Sequence, residues 1–305
     1  MTANMPATID EVVGRVDVWQ GLSVDVAPLS GGLTNDNYLV TAGGSKYVVR
    51  IPGRSTELLA IDRANEHENA RAAAEAGVGP RVVAHLADLD VMVLEFVDGE
   101  TMSGKSLRTP DMARRMATSI RQLHGGPRFR LDFDMFRITE RYLRVCDDRR
   151  IRVPDGFHDR MSTVAEVELA MRATAVATVP CHNDLLAENY IDDGRKLWLL
   201  DYEYSGNNDP TFELANTAQE CEFDDELRAV LCEAYFGRVD GALLARMRLQ
   251  ALMSDMGWTL WAAIQTEIST IDYDFWAWAS ERWGRALAIM DDPAFPALVR
   301  TVAGT

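Results

Sequence analysis

The pattern of hydrophobic and polar positions changes once along the chain, after about the first 97 residues. Before that point, alternating apolar and polar runs are separated by Gly-rich segments at 30–35 and 42–45, which is typical of antiparallel hairpins. A short amphipathic helix is predicted at 8–18, and a second helix at 62–76. The predicted strands are 23–29, 36–43, 46–52, 79–86 and 89–97. The pattern therefore predicts a five-stranded antiparallel sheet with one inserted helix.

The remainder of the chain is predicted to be mainly helical, because its apolar residues recur at helical spacing. The exception is 179–204, where two short strands flank a polar loop. The predicted helices are 110–124, 134–149, 157–176, 211–221, 224–236, 241–266 and 273–291. We expect an α+β protein with a small N-terminal lobe at 1–97 and a large, mainly helical lobe at 101–305. The two are joined by a hinge at about 95–100.

Composition and net charge indicate which classes of binding partner are favoured and which are disfavoured. The chain has 305 residues, 47% of them hydrophobic and 26% charged, as in a folded protein with a sizeable core. The formal net charge of -16 disfavours binding to nucleic acid or to an anionic membrane surface. The same charge is compatible with a small cationic substrate, because acidic clefts concentrate cations. Acidity that serves solubility alone is the simpler alternative.

The cysteines and the apolar segments predict a location. None of the four cysteines forms a C-x-x-C pair, which indicates free thiols in a reducing compartment. The first residues lack a basic segment followed by an apolar one, so no signal peptide is predicted. No apolar stretch approaches the ~18 residues that a transmembrane helix needs. We therefore expect a cytoplasmic protein without a membrane segment.

The loop "CHNDLLAENY" at 181–190 concentrates polar side chains between two strand-like runs. Asp184 precedes Asn189 by five residues, and Asp201 follows Asn189 by twelve, at the end of the apolar run "KLWLL". Phosphoryl transfer to a hydroxyl needs a proton acceptor and oxygen ligands for Mg²⁺, and these residues have the order of such a set. A tight loop with a buried His and Asn or Asp caps would look similar. The position of Asp201 favours the catalytic interpretation, with His182 bracing the loop.

Two features of the N-terminal sheet fit the same chemistry. Gly31 and Gly32 of "LSGGLTNDNY" would let the backbone approach a phosphate, although a Gly pair between strands is also an ordinary hairpin turn. Arg50 on the third strand is a candidate phosphate clamp, unless it is a surface residue of an edge strand. The following helix offers Glu66 or Glu68 as its partner, and we favour Glu66.

The last feature is aromatic. Five of the seven tryptophans fall between residues 258 and 283, and Trp258 and Trp261 are three residues apart, on one face of a helix. A packed helical core explains such clustering in many proteins. Aromatic rings beside a carboxylate also hold quaternary ammonium groups, at roughly 0.5–2 kcal/mol per ring.

Taken together, residues 25–285 resemble the choline/ethanolamine kinase family, within the wider group that includes aminoglycoside phosphotransferases. The motifs that carry the resemblance are "LSGGLTNDNY", "CHNDLLAEN", "DYEYSGNNDPTFELAN" and W-T-L-W. The resemblance implies a protein kinase-like bilobal fold. It also implies transfer of the ATP γ-phosphate, with Mg²⁺, to the hydroxyl of choline or ethanolamine, a small cationic amino alcohol.

The resemblance also implies roles for individual residues. Asp184 would be the catalytic base, assisted by Arg50 and its partner Glu66. The residues implied to bind ATP are Ser30, Gly31, Gly32, Thr34, Asn35, Arg50, Glu95 and Val97. The residues implied to bind the metal are Asn189, Asp201 and Glu203. In the substrate pocket, the aromatic walls would be Tyr204, Trp258 and Trp261, and Glu220 would be the acid that faces the ammonium.

Two alternatives stay open at this point. One is a related kinase on the same scaffold that acts on an aminoglycoside, a thiamine-like compound or a sugar. The other is a non-catalytic protein that senses a cationic metabolite. The sequence also leaves open the choice between choline and ethanolamine, and whether the protein forms a homodimer.

Overall fold

The N-terminal part of the chain forms one antiparallel sheet. In a computed structural model that describes residues 7–29, 32–53 and 56–305, its strands are β1 Val24–Leu29, β2 Asn35–Ala42, β3 Ser45–Pro52, β4 Val82–Leu86 and β5 Val91–Glu95. The strands pair antiparallel in the order β1-β2-β3-β5-β4. Gly43 and Gly44, both at positive φ, form the two-residue turn between β2 and β3. The predicted five-stranded sheet is confirmed.

The two faces of this sheet belong to different cores. Because side chains alternate across a strand, β5 places Val91 and Val93 in one core and Met92 and Leu94 in the other. The first core is closed by helix α1, Ile9–Arg15, and by Trp19. The second core is continuous with the helical part of the chain and includes residues of helix α2, Arg63–Glu75. The sheet is thereby attached to the rest of the molecule through one face.

The remainder of the chain is mainly helical, as predicted. Its helices are α3 Gly104–Leu107, α4 Pro110–His124, α5 Met135–Arg149, α6 Met161–Ala173, α7 Pro210–Glu220, α8 Asp225–Phe236, α9 Gly241–Ile268, α10 Phe275–Met290 and α11 Phe295–Ala303. Its short strands are β6 Glu100–Thr101, β7 Val179–Cys181, β8 Tyr190–Asp192, β9 Leu197–Leu199 and β10 Gly206–Asn208. They form a three-stranded sheet in the order β6-β8-β9 and a pair β10-β7. The predicted α+β class is confirmed.

Most helix starts are marked by a capping side chain, which is why the sequence predicted them well. The residues that accept a hydrogen bond from the first turn are Thr8, Asp62, Ser103, Thr109, Asp134, Asp209, Asp224, Asp240 and Asp274. Each such cap stabilises a helix by about 1 kcal/mol. Two predictions need correction. The helix expected at 157–176 is shorter, because a 3₁₀ turn at His158–Arg160 precedes α6. Helix α11, with Pro296 in its first turn, lies beyond the last predicted helix at 273–291.

Helix α9 forms the centre of the large lobe. Its residues are buried almost without interruption from Ala245 to Gln265, as expected for a helix that is apolar on all sides. It packs against α5, α7 and α10. Gly257 permits the close approach of α5, because a Cβ atom there would lie 2.1 Å from the sulfur of Met135. Within the described residues, no helix is both long and apolar enough to cross a bilayer.

The change of sheet marks the passage between the two parts. The amide of Phe96 still donates to Lys46 O beside the first sheet, whereas Glu100 already pairs with Asp192 of β8. This change of partner supports the predicted hinge at 95–100, which we retain as a proposal.

Candidate active site

One cavity of about 810 Å³ lies between the N-terminal sheet and the helical lobe. The predicted site residues in its wall are Gly32, Thr34, Arg50, Glu95, Val97, Asp184, Asn189, Asp201, Glu203, Tyr204, Glu220, Trp258 and Trp261. Asn35 and Glu66 lie behind this wall and contact residues that form it. Ser30 and Gly31 fall outside the described residues. The structure thus brings together side chains from β3, the polar loop, α7 and α9.

The polar loop at 181–190 is held rigidly by buried hydrogen bonds. His182 donates from Nε2 to Leu200 O at 2.6 Å and accepts at Nδ1 from the amide of Asp184 at 3.3 Å. This pattern requires a neutral imidazole, and burial lowers the pKa of His182 accordingly. Glu213 of α7 accepts the amides of His182 and Asn183 at 2.8 and 2.6 Å. His182 therefore braces the loop, as expected, and Glu213 is a second brace.

Two residues of the site adopt a backbone conformation that is rare for non-glycine residues. Asn183 has φ 68° and Asp201 has φ 72°. The side-chain amide of Asn183 stabilises its conformation by donating to the carbonyls of Cys181, Tyr204 and Gly206 at 3.1–3.2 Å. Such strain persists only where surrounding contacts enforce it, and it is concentrated at functional sites.

The candidate proton acceptor lies beside the candidate metal ligands. Asn189 donates from Nδ2 to Asp184 O at 2.8 Å, which turns the oxygen of its amide towards other partners. Asp184 lines the cavity, and its pKa is raised by burial and then by the carboxylates of Glu203, Asp201 and Glu220. Burial would also raise the pKa of Asp201, but the guanidinium of Arg50 outweighs it, and the pKa is lowered. The pKa values of the two carboxyl groups are therefore shifted in opposite directions.

Asp201 belongs to a group of five charged residues that links the two lobes, which we call the lobe-bridging cluster: Arg50, Arg63, Glu66, Asp201 and Glu203. Arg50 Nη2 lies 2.5 Å from Asp201 Oδ1 and 3.2 Å from Glu66 Oε1. Arg63 Nη1 lies 2.7 Å from Glu66 Oε2 and 3.5 Å from Glu203 Oε2. Two arginines therefore hold three carboxylates, and all five side chains except that of Asp201 are less than 10% exposed.

The partner of Arg50 is Glu66, because Glu68 is exposed and pairs with Arg130 instead. Arg63 was missed by sequence reasoning. Its signal was the spacing "RANE" at the start of α2, which places Arg63 and Glu66 three residues apart, on one helix face.

Glu203 also ties the Gly-rich turn to the large lobe. Thr34 donates from Oγ1 to both carboxylate oxygens of Glu203 at 2.8 Å, and Asn35 donates to Oε2 at 3.1 Å. Burial, followed by the carboxylates of Asp201 and Glu66, raises the pKa of Glu203 to about 7. Thr34, Asn35 and Glu203, predicted to bind nucleotide and metal, are thus bonded to one another across the cavity.

The segment 95–97, predicted to meet a nucleotide base, has one backbone amide that makes no backbone hydrogen bond within the described residues. The amides of Glu95 and Phe96 donate to Arg81 O and Lys46 O at 2.9 and 3.2 Å. Among the described residues, the backbone bonds leave the amide of Val97 without such a partner, and Val97 lines the cavity. Of the predicted segment, Val97 is therefore the residue best placed to bind a ligand through its backbone N–H.

The other end of the cavity is aromatic. Trp261 donates from Nε1 to Tyr204 OH at 2.7 Å, and the rings of Tyr204 and Trp258 meet edge to face at 4.9 Å. Tyr273 and Trp278 complete this wall. Neither was assigned to the site from the sequence, because the aromatic run at 273–283 does not reveal which side chains point inward. Trp276 of the same run instead stacks with Arg152 at 3.9 Å.

Glu220 lies in this wall, but it is not an isolated carboxylate. Its Oε2 accepts from Arg282 Nη2, and its Oε1 accepts from Arg285 Nη2 at 3.1 Å. Arg285 also binds Asp255 Oδ1 at 2.6 Å. We call Glu220, Asp255, Arg282 and Arg285 the helix cluster, because its members lie on α7, α9 and α10. Its two arginines were missed from the sequence, and the role of Glu220 stays a prediction.

The donor set near Asp184 fits Mg²⁺. The described residues contain no group of three or more His, Cys, Asp or Glu side chains arranged as a metal site. Mg²⁺ does not require one, because it is commonly bound by one or two protein oxygens together with water and substrate phosphates. The lowered pKa of Asp201 favours its ionised carboxylate, which can bind a cation. Asn189 offers an amide oxygen whose orientation is fixed by the hydrogen bond of its Nδ2.

Comparisons with known proteins agree with this arrangement. Residues 25–249 match the phosphotransferase enzyme family. A choline/ethanolamine kinase family protein from Mesorhizobium loti superposes with a TM-score of 0.83 and is 32% identical, over 97% of this chain and 99% of that one.

Two curated relatives are more distant. Probable choline kinase 2 of Arabidopsis thaliana is 25% identical over 88% of this chain and 86% of its own length. Ethanolamine kinase 2 of Mus musculus is 28% identical over 78% of this chain and 68% of its own length. The fold and the cavity are those of a small-molecule phosphotransferase, and this chain belongs to the choline/ethanolamine kinase family within the phosphotransferase enzyme family.

Proposed function

We propose that this protein transfers the γ-phosphate of ATP to the hydroxyl of choline, giving phosphocholine and ADP. The observation that carries the proposal is the cavity itself. The hydrogen-bonded residues Asp184 and Asn189 and the ion pair of Asp201 with Arg50 line it together, and aromatic side chains line it as well. Phosphoryl transfer needs positioning and charge stabilisation more than covalent chemistry, which is what this arrangement can supply.

The chemical step is assigned to Asp184. Its carboxylate accepts the proton of the substrate hydroxyl as the hydroxyl oxygen bonds to the γ-phosphorus. The bond from the γ-phosphorus to the β,γ-bridging oxygen breaks, and its electron pair leaves with ADP. The raised pKa of Asp184 suits a proton acceptor, provided that the negative charge around it is compensated when nucleotide and metal are bound.

The nucleotide is assigned to the sheet side of the cavity. Arg50 would contact the phosphates while Glu66 fixes its guanidinium, and Thr34, Asn35 and the Gly-rich turn would cover them. Val97 would meet the base through its backbone. Asn189 and Asp201 would hold Mg²⁺, with Glu203 in support. The ion would supply positive charge that offsets the negative charge of the transferred phosphoryl group.

The acceptor is assigned to the aromatic end. Tyr204, Trp258 and Trp261 would surround the ammonium group, and Glu220 would close the site behind it. Family relatives include proteins named for choline and for ethanolamine, so the family alone does not choose between these acceptors. Sugar and aminoglycoside acceptors carry rings of hydroxyls, for which this aromatic wall offers few polar partners.

A panel of alcohols tests the proposal. Purified protein with ATP and Mg²⁺ is incubated with choline, ethanolamine, thiamine, a hexose and an aminoglycoside, and phosphorylated products are detected by mass spectrometry. We expect a product from the amino alcohols alone. A product from a sugar, thiamine or an aminoglycoside would indicate a related kinase instead. Binding of choline without any product would indicate a protein that senses cations.

Two attributes remain proposals with less support. A cytoplasmic location agrees with the four unpaired cysteines, Cys146, Cys181, Cys221 and Cys232, all of which are buried. A homodimer stays open, and sedimentation of the purified protein would decide it.

A further inference from the structure

The carboxylate predicted to face the substrate cation is already bonded to cations of the protein. The side chain of Glu220 is only 5% exposed, and each of its oxygens accepts a hydrogen bond from a different arginine, Arg282 or Arg285. Arg282 is also stacked on a ring of the cavity wall, with Cζ 3.2 Å from the centroid of Trp278. One face of the Trp278 ring and both carboxylate oxygens of Glu220 therefore already bind arginines of the protein.

The charges of the helix cluster cancel. Arg282 and Arg285 carry two positive charges, and Glu220 and Asp255 carry at most two negative ones. Glu281 lies 3.8 Å from Arg285, but it is exposed, so water screens its charge. Burial, followed by the nearby Glu220 carboxylate and opposed by Arg285, raises the pKa of Asp255 to about 7. The cluster is thus neutral when Asp255 is ionised and positive when it is protonated. It offers no net negative charge to a substrate cation.

The remaining polar groups at this end offer little to an N–H donor. Tyr204 OH accepts from Trp261 Nε1. Asp184 is committed to the substrate hydroxyl in the proposed reaction. Glu188 also borders the cavity, but it is exposed, and water screens it. What remains for a cation is the ring faces of Tyr204, Trp258 and Trp261, together with Tyr273, which is 46% exposed to water.

We infer that the acceptor site selects a quaternary ammonium over a primary one, so that choline is preferred to ethanolamine. The inference rests on the proposed function. A primary ammonium is a strongly hydrated group with three N–H donors, and it must replace its water with acceptors. A trimethylammonium group has no donors, and ring faces suffice to bind it. Neutralisation of Glu220 by Arg282 and Arg285 removes the acceptor that a primary amine would need.

Simple cations test the inference without catalysis. Tryptophan fluorescence of the wild-type protein is titrated with tetramethylammonium and, separately, with methylammonium. We expect tetramethylammonium to bind at least about tenfold more tightly, the difference made by one hydrogen bond to a charged group. Equal binding, or tighter binding of methylammonium, would overturn the inference whether or not the protein proves to be a kinase.

Kinetics on a methylation series gives the second test. kcat/KM is measured for ethanolamine, its N-methyl and N,N-dimethyl derivatives, and choline. We expect a rise at each methylation, and a flat or falling series would refute the preference. A series in which no member reacts would count against the proposed function instead, and the cation titration would still decide the selectivity.

The neutralisation of Glu220 by its two arginines is tested by changing Arg285, which does not line the cavity. Arg285→Met leaves Glu220 Oε1 free and gives the helix cluster a net negative charge. We expect the ratio of kcat/KM for choline to that for ethanolamine to fall about tenfold. Arg285→Lys, which keeps the charge, should retain most of the wild-type ratio.

Arg248→Met is the matched control, because Arg248 lies on the surface of α9 and pairs with Asp292 at 3.8 Å. An unchanged ratio in folded Arg285→Met would show that Glu220 does not respond to its partners. Should that variant fail to fold, the cation titration of the wild-type protein decides the inference alone.

Discussion

Two groups of buried charge border the same cavity, and they differ in balance and in location. The lobe-bridging cluster has two arginines, Arg50 and Arg63, against three carboxylates, and it joins β3 and α2 to the segment after β9. The helix cluster has two arginines against two carboxylates, and it lies within α7, α9 and α10. The side chains of both clusters are at most 22% exposed, so an unbalanced charge is costly in either cluster.

The difference indicates which cluster is built to receive a cation. The lobe-bridging cluster has a surplus of negative charge, which is reduced in part because the pKa of Glu203 is raised to about 7. A divalent ion bound at Asp201 would remove that surplus. The helix cluster needs no further ion, so it serves as scaffold for the aromatic wall. The net charge of a buried cluster at an active site, and not only its list of ion pairs, therefore indicates whether the cluster can bind a further cation.

The largest expected effect concerns the proton acceptor next to the lobe-bridging cluster. Asp184→Asn removes the proposed base with little change in shape, so kcat should fall by about 10³-fold, within the range that general bases contribute. Initial rates with choline measure this, and the circular dichroism spectrum should be unchanged. Turnover within tenfold of wild type would contradict the role of Asp184.

The balance of the lobe-bridging cluster is tested with Arg50→Met. Three carboxylates would remain with Arg63 alone, so the free energy of unfolding should fall by about 3–5 kcal/mol, as when one partner of a buried pair is removed. Urea denaturation measures it. Arg130→Met is the control, because it breaks an exposed pair with Glu68 that contributes about 0–1 kcal/mol. Equal losses in the two variants would show that the cluster is not electrostatically special.

The contact between the Gly-rich turn and the lobe-bridging cluster should affect the nucleotide alone. Thr34→Val removes the two hydrogen bonds to Glu203 and should raise KM for ATP about tenfold. KM for choline should change less than twofold. Thr41→Val, in strand β2 that follows Thr34, is the matched control. A similar rise in both KM values would indicate a general loss of structure.

The smallest expected effect is a pH dependence of the helix cluster. The pKa of Asp255 is raised to about 7 in the folded protein, whereas an unfolded Asp titrates near 3.9. Between these values the folded state binds the extra proton, so this residue makes stability decline as pH rises from about 4 to 7. Asp255→Asn should lack that part of the slope of Tm against pH. Identical slopes would show that Asp255 titrates normally.

The sequence predicted best those features that depend on neighbours along the chain. The polar loop, Asp201 and most helix starts follow from local spacing and capping residues, such as Asp209 before Pro210. Gly-rich turns likewise predicted the first sheet. Helix α11 was not predicted; its first turn contains Pro296, a residue that is tolerated there but breaks the interior of a helix.

Features that depend on tertiary packing could not be predicted in the same way. Arg63 meets Glu203 across 140 positions, and Arg282 meets Glu220 across 62. Trp276 and Trp278 are two residues apart on α10, so they point in nearly opposite directions, and the sequence does not say which one faces the cavity. The neutralisation of Glu220 could therefore be seen only in three dimensions.

The central claim is that this cavity joins ATP to an amino alcohol. Its most direct test is ³¹P NMR of the protein with ATP, Mg²⁺ and choline. We predict that the γ-phosphate resonance is replaced by those of ADP and phosphocholine in equal amounts, and that no phosphocholine forms when Mg²⁺ is chelated. An ATP spectrum that stays unchanged, or ADP that accumulates with inorganic phosphate alone, would contradict the claim.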